Sequence, residues 1–381
     1  MVLELTDEQK IWRETLVAFS RQELDYDMTE YEKGDLFPWE AWRKCAEMQI
    51  LAQPFPEEYG GGGVDFMTTV ISLNALGYAC KDAGLVHAIA TQILCGLQIL
   101  HFGSERLKQL YLPLLCRGEK VFAQAITEPG SGSDALSMRT SATKKSDTYI
   151  LNGSKTFITN GPIADVVIVF AVSDPEKKSL GGISCLVVED GMAGFEKCRP
   201  LKKMGLSTLQ NGELFFDNCA VPFAQLLGKE GQGAIIFNES MEWERSLLPA
   251  AHLGTMERIL EISVSYAKER HAFKKPIGSY QSVANKLSSM KVNIELGKGI
   301  LYRCAALKDN HKRAALDASI CKLFISESLK QACLDAVQIH GGYGYMSEYE
   351  IERDLRDSIA ATIYSGTSEL QHNIIARFLG V

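Results

Sequence analysis

The sequence lacks an excess of basic residues. It contains 40 lysines and arginines against 47 aspartates and glutamates, a formal net charge of −7. A protein that binds nucleic acid in general needs basic residues to neutralise phosphates. We therefore predict that the chain does not bind nucleic acid. A few local cations and backbone N–H groups remain sufficient to hold a phosphate-containing ligand.

Paired cysteines are also lacking. The ten cysteines are scattered singly from Cys45 to Cys333, with no CxxC spacing, and several lie in apolar runs such as residues 183–188. Single cysteines in apolar runs are typical of buried free thiols in a reducing compartment. We predict neither disulfides nor a metal site.

Targeting segments are not apparent. The sequence shows no basic leader and no Arg-rich transit segment, and it gives no sign of a run of about 18 apolar residues. Instead, Thr6 and Gln9 have the spacing of a helix capping box. We predict a cytoplasmic protein that does not enter a membrane.

The 381 residues are 46% hydrophobic, which is typical of a globular protein with two or three packed units. Helical periodicity dominates residues 1–118 and returns in residues 231–381. Between them, residues 119–230 contain short apolar strands separated by turns, without a long helical pattern. This order predicts an α+β protein with a helical domain, a β-barrel-like middle domain and a second helical domain.

A hairpin is expected near the start of the middle domain. Residues 149–151 and 155–158 are strand-like, and Asn152-Gly153 between them has the residue types of a tight turn. Residues 166–172, 183–188 and 213–216 are predicted to be further strands of an antiparallel unit.

Five segments carry residues suited to ligand binding, but each has an ordinary structural alternative. They are residues 125–134, 157–161, 270–281, 338–344 and 364–369. The first combines glycines and hydroxyls that let a backbone approach a flat ligand, or it forms a surface turn. Arg270 suits a phosphate, or it is a solvated charge. The glycines of residues 338–344 lack the strand–turn–helix context of a nicotinamide-binding fold.

Taken together and in this order, the segments resemble those of the acyl-CoA dehydrogenase family. Residues 126–134, Ile-Thr-Glu-Pro-Gly-Ser-Gly-Ser-Asp, resemble its flavin signature, and residues 338–342 and 366–367 resemble its C-terminal motifs. The resemblance covers nearly the whole chain. It implies an N-terminal helical domain, a middle β-barrel domain and a C-terminal four-helix bundle, with FAD as cofactor.

The resemblance also assigns cofactor contacts to particular residues. Those expected around the flavin ring are Ile126, Thr127, Gly132, Ser133, Phe157 and Thr159. Thr367 and Glu369 are expected at the diphosphate and ribityl region. Those expected to reach the FAD of a neighbouring subunit are Arg270, Phe273, Gln281, Gln338, Gly341 and Gly342. The last set implies a homo-oligomer, and the family usually forms tetramers.

The catalytic base is not where many family members have it. Their glutamate precedes the Gly-Thr pair, where this chain has Ser365. The isovaleryl-CoA dehydrogenase branch instead carries the base on an earlier helix before an arginine, a position that Glu244 matches. Glu244 shares a helix face with apolar Met241, whereas Glu242 is rotated away and is expected to be solvated. The alternative for Glu244 is an ordinary carboxylate paired with Arg245 or another cation.

A reaction follows from the resemblance. Glu244 would remove the α-proton of an acyl thioester, with the backbone N–H of Ser365 stabilising the carbonyl oxygen. The chain also resembles the family members that oxidise L-prolyl groups on carrier proteins, which makes such a group the expected substrate and isovaleryl-CoA the runner-up. A flavin-binding structural or partner protein that has lost catalysis is the alternative of another class. The electron acceptor is either oxygen or an electron-transfer protein.

Substrate contacts are expected mainly from the helix over residues 86–92. Its polar side chains His87, Thr91 and Gln92 suit a ring nitrogen, or they face other helices or solvent. Further pocket residues are expected to be Met241, Arg245 and Tyr364. Because carrier proteins are acidic, docking needs a local basic patch, for which Arg199, Lys202 and Lys203 are candidates.

Overall fold

A computed structural model describes residues 4–34, 36–177 and 181–381. The first part of the chain is helical, as predicted. Its helices are α1 (Asp7–Glu23), α2 (Met28–Gly34), α3 (Trp39–Glu47), α4 (Phe66–Ala79), α5 (Ala83–Phe102) and α6 (Glu105–Cys116). The Thr6 hydroxyl accepts a hydrogen bond from the N–H of Gln9, and the Gln9 side chain returns one to the N–H of Thr6. The predicted capping box is confirmed.

The middle of the chain forms one eight-stranded sheet. Its strands are β1 (Phe122–Ala125), β2 (Ser141–Lys145), β3 (Thr148–Thr159), β4 (Val166–Val172), β5 (Ile183–Glu189), β6 (Phe195–Lys197), β7 (Asn211–Pro222) and β8 (Leu226–Leu227). Their order is β6-β7-β3-β2-β4-β5-β8, with β1 paired to β4. Most pairs are antiparallel as predicted, but β1 runs parallel to β4, and β2 meets β4 in parallel at Ser141 and Val172.

Strand β4 explains how the sheet joins the helices. Val167, Val169 and Ala171 pack in the core of the sheet itself, which also receives side chains from β3, β5 and β7. The alternate residues Val166, Ile168 and Phe170 belong to the core shared with the helices. Successive side chains of a strand point to opposite faces. Burial of both faces therefore accounts for the continuous apolar run of residues 166–172.

The predicted Asn-Gly turn is wrong. Asn152 and Gly153 lie inside β3, which continues to Thr159, and the turn between β2 and β3 falls at Ser146 and Asp147. Gly153 has a φ of 144°, and the pairing of β3 with β7 shifts register there. The glycine thus serves a β-bulge, which needs the same backbone freedom as a turn.

The last part of the chain is helical again. It contains α7 (Gly233–Glu269), a small ladder of β9 (His271–Ala272) and β10 (Lys275–Pro276), then α8 (Gln281–Asp309), α9 (Ala315–His340), α10 (Ile351–Ala361) and α11 (Ser368–Leu379). Helix α7 lies at the centre, because it packs against α4 and α5 as well as α8 and α9. Its side chains therefore have little access to solvent along much of its length.

Two expectations about apolar sequence have different outcomes. All ten cysteines are free, and all but Cys198 are buried, as predicted. The expectation that no long apolar run exists is wrong, because α5 is 20 residues long with a mean hydropathy of 1.6 over its most apolar window. Of that window, 89% is buried inside the fold. Length and composition alone do not distinguish such a core helix from a membrane span.

Candidate active site

A cavity of about 430 Å³ opens where both helical regions meet the sheet. Its wall combines α5, the segment around residues 124–135, the end of β3, α7 and the loop before α11. A wider cleft of about 590 Å³ lies between α1, α7 and α8, but charges there are paired, as in Arg13 with Glu257. The first cavity is the candidate active site.

The six residues expected around a flavin ring lie together on the wall of this cavity. They are Ile126, Thr127, Gly132, Ser133, Phe157 and Thr159. Phe157 has a φ of 57° and is 65% exposed, so its ring is available to a ligand. Within the described ranges, the hydroxyls of Thr127, Ser133 and Thr159 have no hydrogen-bond partner. An exposed aromatic ring beside unused hydroxyls fits a planar ligand with polar edges, such as a flavin.

A buried ion pair braces this wall. Lys155 of β3 is fully buried, and its Nζ lies 2.8 Å from Glu128 Oε1 and 2.9 Å from the carbonyl oxygen of Ile126. Glu128 also accepts hydrogen bonds from the N–H groups of Arg139 and Thr140. Burial lowers the pKa of Lys155 to about 8, and the Glu128 carboxylate opposes this shift. The pair fixes the segment after β1 against β3.

The two residues expected near the flavin diphosphate are separated. Thr367 lines the cavity and caps α11, where its hydroxyl accepts the N–H of Leu370 at 3.3 Å. Glu369 is exposed on the first turn of α11 and is not part of the cavity wall.

The six residues assigned to a neighbour's FAD lie away from this chain's own cavity. Arg270, Phe273, Gln281, Gln338, Gly341 and Gly342 are all exposed and absent from its wall. Phe273 is 91% exposed with a φ of 49°, and the Arg270 guanidinium lies 5.7 Å from the centroid of the Tyr343 ring. They are therefore accessible to another molecule and not to the flavin wall of their own chain.

Glu244 of α7 lies in the cavity wall. The Ser365 hydroxyl donates a hydrogen bond to Glu244 Oε1 at 2.5 Å. Among the described residues, no lysine or arginine nitrogen lies within 4 Å of its carboxylate. The neighbouring Arg245 instead donates through Nε to the carbonyl oxygen of Ser365 at 2.9 Å. The alternative of an ordinary ion-paired carboxylate is not what the structure contains.

Burial raises the pKa of the Glu244 carboxyl above its ordinary value. The Ser365 hydrogen bond and the positive charges of Arg245 and Lys322 oppose that shift. A raised pKa brings a carboxylate closer in basicity to a weakly acidic C–H group. The surroundings of Glu244 suit a general base.

Side-chain hydrogen bonds hold the loop before α11 in place. Ser365 and Gly366 both have positive φ angles, of 57° and 87°. The carbonyl oxygen of Ser365 accepts from Arg245 and from Gln371 at 3.1 Å, and that of Gly366 accepts from buried Lys322 at 2.7 Å. Glycine adopts such an angle freely, but the positive φ of Ser365 is costly unless its surroundings fix it. These donors fix the orientation of the Ser365 peptide at the cavity.

The predicted substrate-pocket residues meet at the same cavity, with one exception. His87, Thr91, Met241, Arg245 and Tyr364 all line it. Gln92 does not, because it is buried on another face of α5. Its side chain donates to the carbonyl of Lys120 at 2.8 Å and accepts the N–H of Phe122 at 2.8 Å.

The prediction of a solvated Glu242 is wrong. Glu242 is 8% exposed, and its Oε2 lies 3.1 Å from Lys308 Nζ and accepts the N–H of Ala314 at 3.1 Å. Glu242 does lie on a different side of α7 from Glu244, as helical periodicity predicts. It is nevertheless buried, because central α7 is covered on this side too, by α8 and the start of α9.

Some residues at the site were not predicted. Lys322, Gln371 and His252 support the cavity from outside its wall. Lys322 has a recognisable sequence signal, because a lone lysine between Cys321 and Leu323 interrupts an apolar helix. Gln371 and His252 have no comparable signal.

The candidate basic patch lies in the connection between β6 and β7. Arg199 and Lys202 are exposed, while Lys203 is half-buried and donates to the carbonyl of Leu201 at 3.4 Å. The N–H of Leu201 bonds Asn211, whose side chain bonds the carbonyl oxygen of Phe157 at 2.8 Å. The patch is thereby linked to the cavity wall.

Family models match nearly the entire chain. The N-terminal, middle and C-terminal domains of acyl-CoA dehydrogenase match residues 6–119, 123–219 and 231–380. The chain belongs to the acyl-CoA dehydrogenase family. This membership confirms the predicted family and fold class.

Two similar members of the family differ in the substrate that their names give. An L-prolyl-[peptidyl-carrier protein] dehydrogenase of Pseudomonas fluorescens is 41% identical over 91% of this chain and 92% of its own length. An acyl-CoA dehydrogenase of Bacillus subtilis is 39% identical over 99% of both chains. Both are similar to this chain over most of its length, so sequence identity alone does not choose between their substrates.

Two solved structures of this family superpose closely on the chain. The prolyl acyl carrier protein oxidase AnaB has a TM-score of 0.98 at 45% identity and covers 99% of this chain and 100% of its own. The structure of PigA with FAD and proline has a TM-score of 0.97 at 36% identity, covering 100% and 99%.

Proposed function

We propose that this chain is an FAD-dependent dehydrogenase of L-prolyl groups held as thioesters on a carrier protein. The observation that carries the proposal is Glu244 in the cavity wall, desolvated, hydrogen-bonded by Ser365 and without an ion-pair partner among the described residues. The similarity to prolyl-carrier-protein dehydrogenases, to AnaB and to PigA with FAD and proline supports the substrate.

FAD is the cofactor. Ile126, Thr127, Phe157 and Thr159 would hold its flavin ring, with Thr367 near its polar chain. Bound there, FAD supplies an acceptor for the hydride that leaves the acyl group. The exposed Phe157 ring and the unused hydroxyls support this placement.

Glu244 takes the α-proton of the thioester in this proposal. That proton is too weakly acidic for an unassisted carboxylate, so negative charge developing on the carbonyl oxygen needs a donor. The N–H of Ser365 is that donor, and Arg245, Gln371 and Lys322 hold its loop in place. The Ser365 hydroxyl has a second role, because its hydrogen bond stabilises the ionised base.

The alternative of a flavin-binding protein that has lost catalysis depends on Ser365 standing where many family members have their catalytic glutamate. Glu244 occupies the same cavity as Ser365 and contacts it, so the replacement does not remove the base. Similarity to enzymes over the full length of the chain also supports catalysis. Isovaleryl-CoA or another short branched acyl-CoA remains the second candidate substrate, supported by the placement of Glu244 on α7.

The partners follow from the same proposal. An acidic carrier protein would dock near Arg199 and Lys202, beside the Phe157 edge of the cavity. Exposed Arg270, Phe273, Gln281 and Gln338 would complete the FAD site of a second copy, which makes the enzyme a homo-oligomer, most simply the family's tetramer. We propose a cytoplasmic location, with oxygen or an electron-transfer flavoprotein as the final acceptor.

Flavin bleaching tests the substrate. The FAD-loaded enzyme is mixed without oxygen with L-prolyl-carrier protein, with isovaleryl-CoA and with butyryl-CoA, and the flavin absorbance is followed. We expect rapid bleaching by the prolyl group only. Rapid bleaching by isovaleryl-CoA with no response to the prolyl carrier protein would contradict the proposed substrate and favour the second candidate.

A further inference from the structure

One side chain on the cavity wall has polar atoms that no described residue pairs with. On α5, His87, Thr91 and Leu94 recur at the spacing of one helix face and all line the cavity. The Thr91 hydroxyl donates back to the carbonyl of His87 at 3.1 Å. Gln92 is bonded elsewhere in the core. The Thr91 hydroxyl keeps only acceptor capacity, and among the described residues the His87 ring is the polar group of this α5 face that has no partner.

The His87 side chain lies almost entirely inside the fold. The residue is 7% exposed, and no described residue forms a hydrogen bond with either ring nitrogen. Neither ring nitrogen is fully enclosed, so the ring offers its hydrogen-bonding capacity to the cavity, and a ligand that expels water must satisfy it or leave it unpaired at a cost in free energy. Burial lowers the pKa of His87 to about 4. The ring is therefore neutral near pH 7, with one nitrogen able to accept a hydrogen bond.

Neighbouring rings fix the position of His87. The Tyr364 ring packs against it edge-on, with centroids 4.8 Å apart and an interplanar angle of 85°. The Tyr364 hydroxyl is held in turn by His252 Nε2 at 2.6 Å. Behind Tyr364, a space of about 30 Å³ is lined by His87 and His252. It has room for about one water molecule and not for an acyl group, so a substrate meets His87 from the main cavity.

We propose that His87 is the specificity-determining residue of the acyl subsite, where its imidazole accepts a hydrogen bond from the ring nitrogen of a cyclic α-amino acyl group. The inference rests on the proposed function and adds which group of the substrate is recognised, namely the ring nitrogen. An acyl group of the same shape without nitrogen leaves the buried imidazole unpaired. A site with a buried polar group rejects a ligand that cannot pair with it more strongly than it rejects a small change in size.

Binding of two unreactive ligands tests the role of His87. The probes are phosphopantetheine conjugates that carry L-prolyl or cyclopentanecarbonyl through an amide in place of the thioester, so the rings differ by an amine, protonated near neutral pH, against CH₂. Their affinities for the FAD-loaded enzyme are measured by calorimetry. We expect wild type to prefer the prolyl probe by roughly 10- to 100-fold, the range of a buried hydrogen bond.

Variants then locate that preference. His87→Phe keeps an aromatic ring against Tyr364 and should reduce the preference to about 1-fold, chiefly through weaker prolyl binding. His87→Leu should do the same if phenylalanine disturbs folding. His87→Gln keeps an acceptor and should retain part of the preference. His101→Phe is the matched control, because His101 lies on the same helix, outside the cavity, against Trp243; it should keep the full preference.

The outcomes separate the inference from the proposed function. If prolyl-carrier protein bleaches the flavin but His87→Phe and His87→Leu keep the preference, the role of His87 is refuted while the function stands. If wild type binds both probes equally, the inference also fails. If only isovaleryl-CoA bleaches the flavin, the proposed substrate itself is wrong.

Discussion

At the residue scale, the chemistry depends on one carboxylate. Glu244→Gln removes the proton acceptor and keeps the size and a hydrogen-bonding oxygen toward Ser365. We expect the variant to fold and hold FAD but to reduce its flavin at least about 100-fold more slowly with the prolyl substrate, the usual cost of losing a general base. Rapid-mixing measurement of flavin bleaching checks this.

Glu242→Gln is the matched control for that experiment. Glu242 lies on the same helix but pairs with Lys308 outside the cavity, so its loss should weaken folding and not the bleaching rate of folded enzyme. Equal rates for Glu244→Gln and wild type would refute the assignment of the base.

The Ser365 hydroxyl should influence the pH dependence of the reaction. Only the ionised form of Glu244 accepts a proton, so the bleaching rate should rise with pH through the pKa of Glu244, which burial places above the ordinary value for glutamate. Ser365→Ala removes a hydrogen bond that favours ionisation. The pKa should rise further, and the rising limb of the pH–rate profile should move to higher pH.

The Ser365→Ala variant should approach the wild-type rate at high pH, because its backbone N–H survives. Ser265→Ala serves as control, since Ser265 is exposed at the far end of α7 and bonds only Glu269. An unchanged profile in Ser365→Ala would show that the hydroxyl does not tune the base.

At the scale of elements, the flavin wall is secured by the buried Lys155–Glu128 pair between β3 and the segment after β1. Lys155→Met would leave the Glu128 carboxylate buried without a cation, and we expect a loss of about 3–5 kcal/mol in the free energy of unfolding. Lys144→Met removes the exposed pair with Glu230 and should cost no more than about 1 kcal/mol. Urea denaturation of both variants measures the difference. Similar small losses would mean that the buried pair is not needed for the wall.

At the scale of the whole molecule, the FAD site should need a second chain. Arg270 and its neighbouring exposed residues contribute nothing to their own cavity, so Arg270→Glu should lower the FAD content by weakening the site of the partner subunit. Lys145→Glu makes the same charge change on the exposed end of β2 and should not. Light scattering and the ratio of flavin to protein test both, and a monomer with one FAD per chain would contradict the assembly.

The sequence by itself determined the order of the three regions, the flavin segments and the helix that carries Glu244. These features depend on local periodicity and on residue types at short spacing, which the chain displays without folding. The domain limits at residues 118 and 230 and the roles of individual site residues stay predictions.

Only the tertiary structure decided which residues meet. The contact of Ser365 with Glu244 joins positions 121 residues apart, and that of Lys322 with Gly366 joins positions 44 apart. The burial of Glu242 and the use of Asn152-Gly153 as a bulge depend on neighbouring elements in the same way. Helical periodicity gives the direction of a side chain around its own helix, but the element that packs on that side determines whether the side chain meets solvent, a cation or a ligand.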